Sequence, residues 1–101
     1  MAYAELLNGV TGTIALYRMG SIIFFATYFD DRALENKYNW KSGIGLVPEG
    51  YRPLTTCTIL SHYDGQTAHV SLTVRTDGRI DLWCQESAGG ILEVTSTYFT
   101  P

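Results

Sequence analysis

The chain has 101 residues, of which 17% are charged, and its formal net charge at neutral pH is -3. A chain of this length forms one domain, and a net negative charge without a run of lysines or arginines argues against a nucleic-acid partner. The longest apolar run, Ile22 to Ala26, is far too short to insert into a membrane.

The composition favours β-structure and assembly. Seven tyrosines, two tryptophans and many threonines are typical of strands. A chain this short buries only roughly 60 to 65% of the surface that its unfolded form exposes, so its core is thin. Low charge combined with many aromatic residues therefore indicates that other copies cover part of the exterior.

The first half of the chain predicts a hairpin followed by a polar segment. Residues 10–18 alternate loosely, Met19 and Gly20 form a turn, and residues 21–29 read as a nearly continuous apolar strand. A strand that is apolar on both faces belongs inside a sandwich or against another subunit. Residues 30–42 are polar and predict a loop, with a single helical turn capped by Asp31 as the alternative.

A proline-rich crossing follows the next strand. Residues 40–47 predict a short strand, and the sequence PEGYRP occupies residues 48–53. Each proline fixes its own φ angle and favours extended geometry in the residue before it, while Gly50 permits a turn between them. We interpret this stretch as a rigid connector between strands, in which Tyr51 and Arg52 hold the crossing in place.

The second half predicts four further strands. Residues 55–62 form a threonine-rich strand, and residues 63–66 form a turn. The next two strands, residues 68–75 and 79–85, alternate with period two about an Asp77-Gly78 hairpin turn. This alternation predicts that Val70, Leu72, Val74, Ile80, Leu82 and Cys84 point inward and that Arg75, Arg79, Asp81 and Trp83 point outward. A last strand covers residues 91–100.

About seven short strands separated by turn signals predict an all-β domain, an antiparallel sandwich or barrel with Greek-key or jelly-roll character. The domain is expected to cover residues 1–101, with residues 1–8 as a linker from a neck that is not part of this chain. Cys57 and Cys84 are expected to be free thiols in apolar surroundings.

No motif for catalysis or cofactor binding stands out. The chain has no GxSxG elbow, no P-loop and no dinucleotide fingerprint, so an enzyme is not expected. His62 and Asp64 are two residues apart, but two side chains do not make a metal site. We therefore expect no metal and no cofactor.

Binding of a ligand is better supported than catalysis. A tryptophan at an outward strand position, such as Trp83, lowers solubility unless another molecule or a loop covers its ring. With Asp81 and Arg79 beside it, Trp83 offers an aromatic surface and polar groups that can bind the hydroxyl groups of a saccharide. The alternative is that Trp83 packs against another subunit or under a loop. His62 and Asp64 lie at a loop, where binding residues concentrate, although Asp64 could simply form a turn bond.

Four segments together resemble a known family. The pieces "GTIALYRMGSIIFF", "IGLVPEGYRP", "VSLTVRTDGRIDLW" and "STYFTP" occur in this order over roughly residues 9 to 100. They resemble the C-terminal head domains of phage tail-fibre and baseplate receptor-binding proteins, in particular those of lactococcal phages. The segment "PEGYRP" is the most specific of the four.

The resemblance implies a homotrimeric head at the tip of the phage tail, made in the bacterial host cytoplasm and placed beside other tail or baseplate proteins. Such heads bind saccharides on the host surface without covalent chemistry. Since the family's site uses a His, an Asp, a Trp and an Arg, the resemblance implies His62, Asp64, Trp83 and either Arg75 or Arg79 as saccharide-binding residues. The outward strand positions add Asp81 to this expected set. The two-sided apolar strand supports trimerisation on physical grounds, and we expect Ile23 and Phe25 at the trimer interface.

The sequence is also compatible with two other functions. The first is a structural virion module at a baseplate or fibre tip that binds no ligand, since a fold alone does not establish sugar binding. The second is a glycan-degrading enzyme, which would need two carboxylates facing each other across a groove. A groove that gathers Trp83, His62 and Asp64 would favour the glycan-binding interpretation.

Overall fold

The computed structural model describes residues 1–32, 40–63, 65, 69–84 and 90–101. Every extended element in these ranges is a β-strand, and they contain no helix long and apolar enough to cross a membrane. The interpretation of residues 30–42 as a loop or a helical turn falls largely on residues 33–39, outside the described residues.

Nine strands make up the described structure. They are β1 (Ala2–Tyr3), β2 (Glu5–Leu6), β3 (Thr11–Met19), β4 (Ile22–Asp30), β5 (Trp40–Leu46), β6 (Cys57–His62), β7 (His69–Val74), β8 (Arg79–Cys84) and β9 (Ile91–Phe99). The seven longer strands lie where the sequence predicted strands, with bounds that differ by one or two residues.

The strands form two antiparallel sheets, and the predicted sandwich is confirmed. One sheet has the order β1-β3-β4-β9 and the other the order β2-β5-β8-β7-β6. Residues 1–8, for which we expected a linker, contain both β1 and β2 and so reach both sheets: Tyr3 pairs with Ala15 of β3, and Leu6 pairs with Gly45 of β5. Two-residue strands carry too few residues for a period to be visible in the sequence.

The core lies between the two sheets. The inner face of the four-stranded sheet contributes Ile14 and Leu16 from β3 and three side chains from β4, Ile23, Phe25 and Phe29, all at most 1% exposed. The predicted inward residues of β7 and β8 are confirmed and are also at most 1% exposed: Val70, Leu72, Val74, Ile80, Leu82 and Cys84. Both cysteines are free, as expected.

The position of Ile23 and Phe25 differs from the expected subunit interface. Both side chains are buried by the other sheet of the same chain, so they are not accessible to a second copy. The exposed side chains of β4 are the alternate residues Ile22, Phe24 and Tyr28. Because β4 is apolar on both faces, the sequence did not show which face of the strand packs against the other sheet of the same chain.

The connector after β5 is tied to the C-terminal strand. The Tyr98 hydroxyl donates to the Tyr51 carbonyl oxygen at 2.6 Å, and the Thr100 hydroxyl donates to the Arg52 carbonyl oxygen at 2.6 Å. Arg52 itself donates from Nε to the Val47 carbonyl oxygen at 2.9 Å. These bonds fix the crossing from β5 to β6, and Arg52 closes the connector as the sequence predicted.

One end of the core holds a polar cluster of Asp31, Lys41, Tyr63 and Cys84, each at most 1% exposed. Lys41 Nζ lies 3.2 Å from Asp31 Oδ2, and the Tyr63 hydroxyl donates to the same carboxylate oxygen. The Tyr63 hydroxyl also lies 3.2 Å from Cys84 Sγ. The pKa of Tyr63 lies far above its usual range. Burial is the main cause, and the hydrogen bonds to Asp31 and Cys84 raise it further.

Candidate glycan-binding face

The outer face of the five-stranded sheet gathers the described site residues that the sequence predicted. The register places Trp40, Trp83, Ser71 and Leu60 in one row across four strands. His62 and His69 form the neighbouring row on one side, while Thr73 and Asp81 lie in the row on the other side. Rows on one face are roughly 7 Å apart, so these side chains share one surface.

Trp40 and Trp83 form the apolar centre of this face. They are direct cross-strand partners on β5 and β8, and each is 42% exposed. The Arg75 guanidinium lies 5.9 Å from the centre of the Trp40 ring, within the range of a cation–π contact. The alternation of residues 79–85 indicated Trp83 but not Trp40, because the pairing of β5 with β8 joins residues that are distant in the chain.

Asp81 departs from its predicted role. It lies on the outer side of β8, as alternation predicted, but its side chain is 0% exposed. Oδ1 accepts from the Gly43 amide at 2.7 Å and from the Ser42 hydroxyl at 3.1 Å. Oδ2 lies 2.6 Å from Arg75 Nε and 3.3 Å from Arg79 Nε. With both oxygens occupied by protein groups, Asp81 supports the face instead of bonding a sugar hydroxyl.

The pKa of Asp81 reflects this network. Burial acts to raise it, but the hydrogen bonds from Arg75, Gly43 and Ser42 and the charge of Arg79 outweigh burial and lower the pKa. The Gly43 and Ser42 bonds arise at a bulge in β5, where the register with β8 shifts between Lys41 and Gly45. The bulge turns backbone and side-chain donors of β5 towards the carboxylate.

Arg75 and Arg79 flank the hairpin turn and frame the open end of the face. Their side chains are 34% and 47% exposed. Each is oriented by Asp81 through its Nε, so one buried carboxylate holds two cationic groups on this face, and Arg75 is the one that contacts the Trp40 ring. Asp77 lies in the same turn and accepts from the Arg79 backbone amide at 3.0 Å, so two carboxylates accompany the two guanidinium groups.

The histidine row lies at the opposite end of the face. His62 is exposed and pairs across the strands with His69, which is also exposed. His62 Nδ1 lies 3.1 Å from the Tyr63 carbonyl oxygen. His62 also lines an open cleft of about 370 Å³ between the edges of the two sheets, together with Ser61, Glu93, Val94 and Thr95. His62 and Trp83 are two strands and one row apart, roughly 12 Å between backbone positions.

Asp64, the predicted partner of His62, lies outside the described residues. The other five predicted saccharide-binding residues lie on one face of the five-stranded sheet. Four of them have exposed or partly exposed side chains, and the fifth, Asp81, is buried by its neighbours. In the described part of the chain, no group of three potential metal ligands comes together.

The outer face of the four-stranded sheet has a different character. Its exposed side chains are mainly aromatic or aliphatic: Tyr3, Tyr17, Met19, Ile22, Phe24, Tyr28 and Phe99. The register makes them neighbours, since Tyr17 pairs with Phe24 and Ile22 pairs with both Met19 and Phe99. We call this surface the apolar face.

Comparison with known proteins did not identify a family for the chain. No protein-family model matches the chain, and no curated protein matches its sequence.

Proposed function

We propose that the chain is a receptor-binding head domain of a phage tail tip, which binds a host cell-surface saccharide without covalent chemistry. The observation that carries this proposal is the exposed Trp40–Trp83 pair beside two arginines that a buried carboxylate orients. The family resemblance of the sequence supplies the biological setting.

The face offers the groups that saccharide binding requires. The indole rings present flat apolar surfaces to the C–H side of a sugar ring, and Arg75 and Arg79 offer donors to its oxygen atoms. Ser71 and Thr58 lie on the same side of β7 and β6 and can bond hydroxyl groups. Asp81 contributes by positioning the arginines, so its role is indirect.

The proposal includes assembly as a homotrimer, and we assign the contact between copies to the apolar face. Its seven large side chains are each between 39% and 69% exposed, so the face offers a broad apolar surface to other copies. Such an area of exposed aromatic surface is unusual for a chain that stays monomeric. Contacts with other tail or baseplate proteins complete the expected set of partners.

A binding assay on purified host cell-wall polysaccharide tests the saccharide proposal. Trp83→Ala and Trp40→Ala are each expected to weaken binding at least about 10-fold, the size of effect typical of a central aromatic contact. The matched control is Leu54→Ala, which removes an exposed apolar side chain that belongs neither to this face nor to the apolar face. Unchanged binding in both tryptophan variants would contradict the proposal.

A purely structural tip or baseplate module is the second candidate, and the extent of the apolar face favours it. Under this alternative the chain assembles through that face and has no glycan ligand. The two functions separate in one comparison: if the isolated assembly fails to bind cell-wall polysaccharide from any susceptible host, the structural function is the better account.

A further inference from the structure

Lys41 and Asp31 form a buried pair whose chemistry the glycan-binding face does not use. Asp31 directly follows β4, and Lys41 is the second residue of β5. Both side chains are 0% exposed, and Lys41 Nζ lies 3.2 Å from Asp31 Oδ2. A lysine amine and an aspartate carboxylate are thus in contact inside the sandwich, away from water.

The surrounding groups hold the carboxylate in one orientation. The Gly90 amide donates to Oδ1 at 3.0 Å, and the Tyr63 hydroxyl donates to Oδ2. Lys41 Nζ in turn lies 3.4 Å from the Tyr63 hydroxyl oxygen. The Tyr63 hydroxyl therefore contacts both the amine and the carboxylate oxygen next to it, which is the position of a proton relay.

We propose that Lys41 and Asp31 condense into an intramolecular isopeptide bond. A proton first passes from the ammonium group to Oδ2, directly or through the Tyr63 hydroxyl, which leaves a neutral amine and a carboxylic acid. The bond between Nζ and Cγ then forms and the bond between Cγ and Oδ2 breaks. Oδ2 leaves with two of the three ammonium protons as water, and the third stays on the amide nitrogen. The reaction needs no oxidant, reductant or cofactor.

Burial and proximity both favour this condensation. Well-oriented groups within one molecule react as if at effective concentrations of about 10⁵ to 10⁸ M. Charges in a low-dielectric interior are costly, so proton transfer to the neutral pair is easier there than in water. The product is an uncharged amide, which removes both buried charges, and its carbonyl oxygen keeps the bond from the Gly90 amide.

The bond would join the two sheets covalently. Asp31 extends from β4 of the four-stranded sheet, and Lys41 belongs to β5 of the five-stranded sheet. Trp40, the neighbour of Lys41, would then be anchored next to the crosslink. The inference does not rest on glycan binding, because it concerns only the interior of the domain.

Mass spectrometry of the full chain tests whether the isopeptide bond forms. Under denaturing conditions, the intact mass is expected to be lower than the sequence mass by one water molecule. Trypsin does not cleave after an acylated lysine or between Arg52 and Pro53, so digestion is expected to yield a branched peptide joining residues 19–32 to residues 38–75. An intact mass that still equals the sequence mass after prolonged incubation of the folded protein would overturn the proposal.

Variants separate the crosslink from other dehydrations. Lys41→Arg keeps the positive charge but cannot form the bond, and it is expected to show the full sequence mass. Loss of water without the branched peptide, or loss that persists in Lys41→Arg, would indicate a cyclic imide at an aspartate and would also overturn the proposal. Tyr63→Phe is expected to form the branched peptide more slowly after refolding from urea, as a relay would require.

Discussion

Asp81 shows how a residue can lie on a predicted face and still be unavailable to a ligand. Alternation along β8 places its side chain on the outer side of the sheet beside Trp83. Two arginines and the bulge of β5 then enclose it, so that its side chain is 0% exposed. Alternation reports the side of a strand, whereas exposure depends on neighbours from other strands.

The lowered pKa of Asp81 predicts a loss of stability in acid. The folded-state pKa lies below the value of 3.8 expected for the unfolded chain, so the unfolded state binds more protons as the pH falls below about 4. The stabilisation by ionised Asp81 is therefore present above that pH and is lost as the pH falls through the folded-state pKa.

Urea unfolding at pH 7 and pH 3 tests this prediction. The free energy of unfolding of the wild type should fall more between these values than that of Asp81→Asn, which cannot ionise. At pH 7 the variant should be less stable by about 1 to 3 kcal/mol, because Arg75 loses its charged partner. Parallel losses in the two proteins would show that another carboxylate governs the acid sensitivity.

The residues of the candidate glycan-binding face were predictable to different degrees. Arg75, Arg79 and Trp83 stand at outward positions of strands with clear alternation, so their shared face follows from the sequence. The sequence placed His62 only at a loop, so its position on the same face did not follow. Trp40 could not be included, because the pairing of β5 with β8 depends on the fold of the whole sheet. The burial of Lys41 was also hidden, since a lysine inside a core is exceptional without a partner such as Asp31.

At the scale of elements, the turn of the β7–β8 hairpin depends on Gly78. Its φ angle is +91°, a conformation that favours glycine. A Cβ atom at this position would lie 2.4 Å from the Val47 carbonyl oxygen and 2.6 Å from Arg52 Nε. The turn and the connector therefore fit together only when residue 78 has no side chain.

Gly78→Ala is expected to be more destabilising than Gly20→Ala. Gly20 also has a positive φ angle, +61°, but a Cβ there would meet nothing within 4 Å. We expect a loss of about 1 kcal/mol for Gly20→Ala and roughly 3 kcal/mol for Gly78→Ala, where the clash adds to the backbone strain. Chemical denaturation of both variants measures the two free energies of unfolding. Equal losses of stability would show that the connector moves away from the new methyl group without an energetic penalty.

The elements themselves were largely predictable, apart from their irregular parts. The period-two pattern of residues 70–74 and 79–84 and the Asp77-Gly78 turn specify a hairpin locally. The bulge in β5 was not visible, because the extra residues between Lys41 and Gly45 are recognisable only against the register of β8. The pairing of the two-residue strands β1 and β2 likewise depends on the neighbouring strands.

At the scale of the whole molecule, one face of β4 serves the folding of the domain and the other face serves the proposed assembly. Phe25 is 1% exposed and faces the core, whereas its neighbour Phe24 is 43% exposed on the apolar face. A charge at position 25 would be buried without a partner, and such a change exceeds what a marginally stable domain tolerates. A charge at position 24 would remain in water in the isolated chain.

Phe24→Asp is therefore expected to give a folded monomer, and Phe25→Asp an unfolded chain. Light scattering after size exclusion reports the mass of the assembly, and far-UV circular dichroism reports the fold. A Phe24→Asp variant that remains trimeric would place the contact between copies elsewhere. A wild type that is monomeric at all accessible concentrations would exclude assembly through the apolar face.

The pairing of β9 with β4 has a consequence for synthesis of the protein. β4 is complete at Asp30, but its partner on one side, Ile91–Phe99, is translated some sixty residues later. Until then one edge of β4 is unpaired and the aromatic side chains of both its faces are unprotected. Until β9 is made, this edge of β4 therefore presents unpaired backbone groups beside apolar side chains, the kind of strand edge that promotes aggregation.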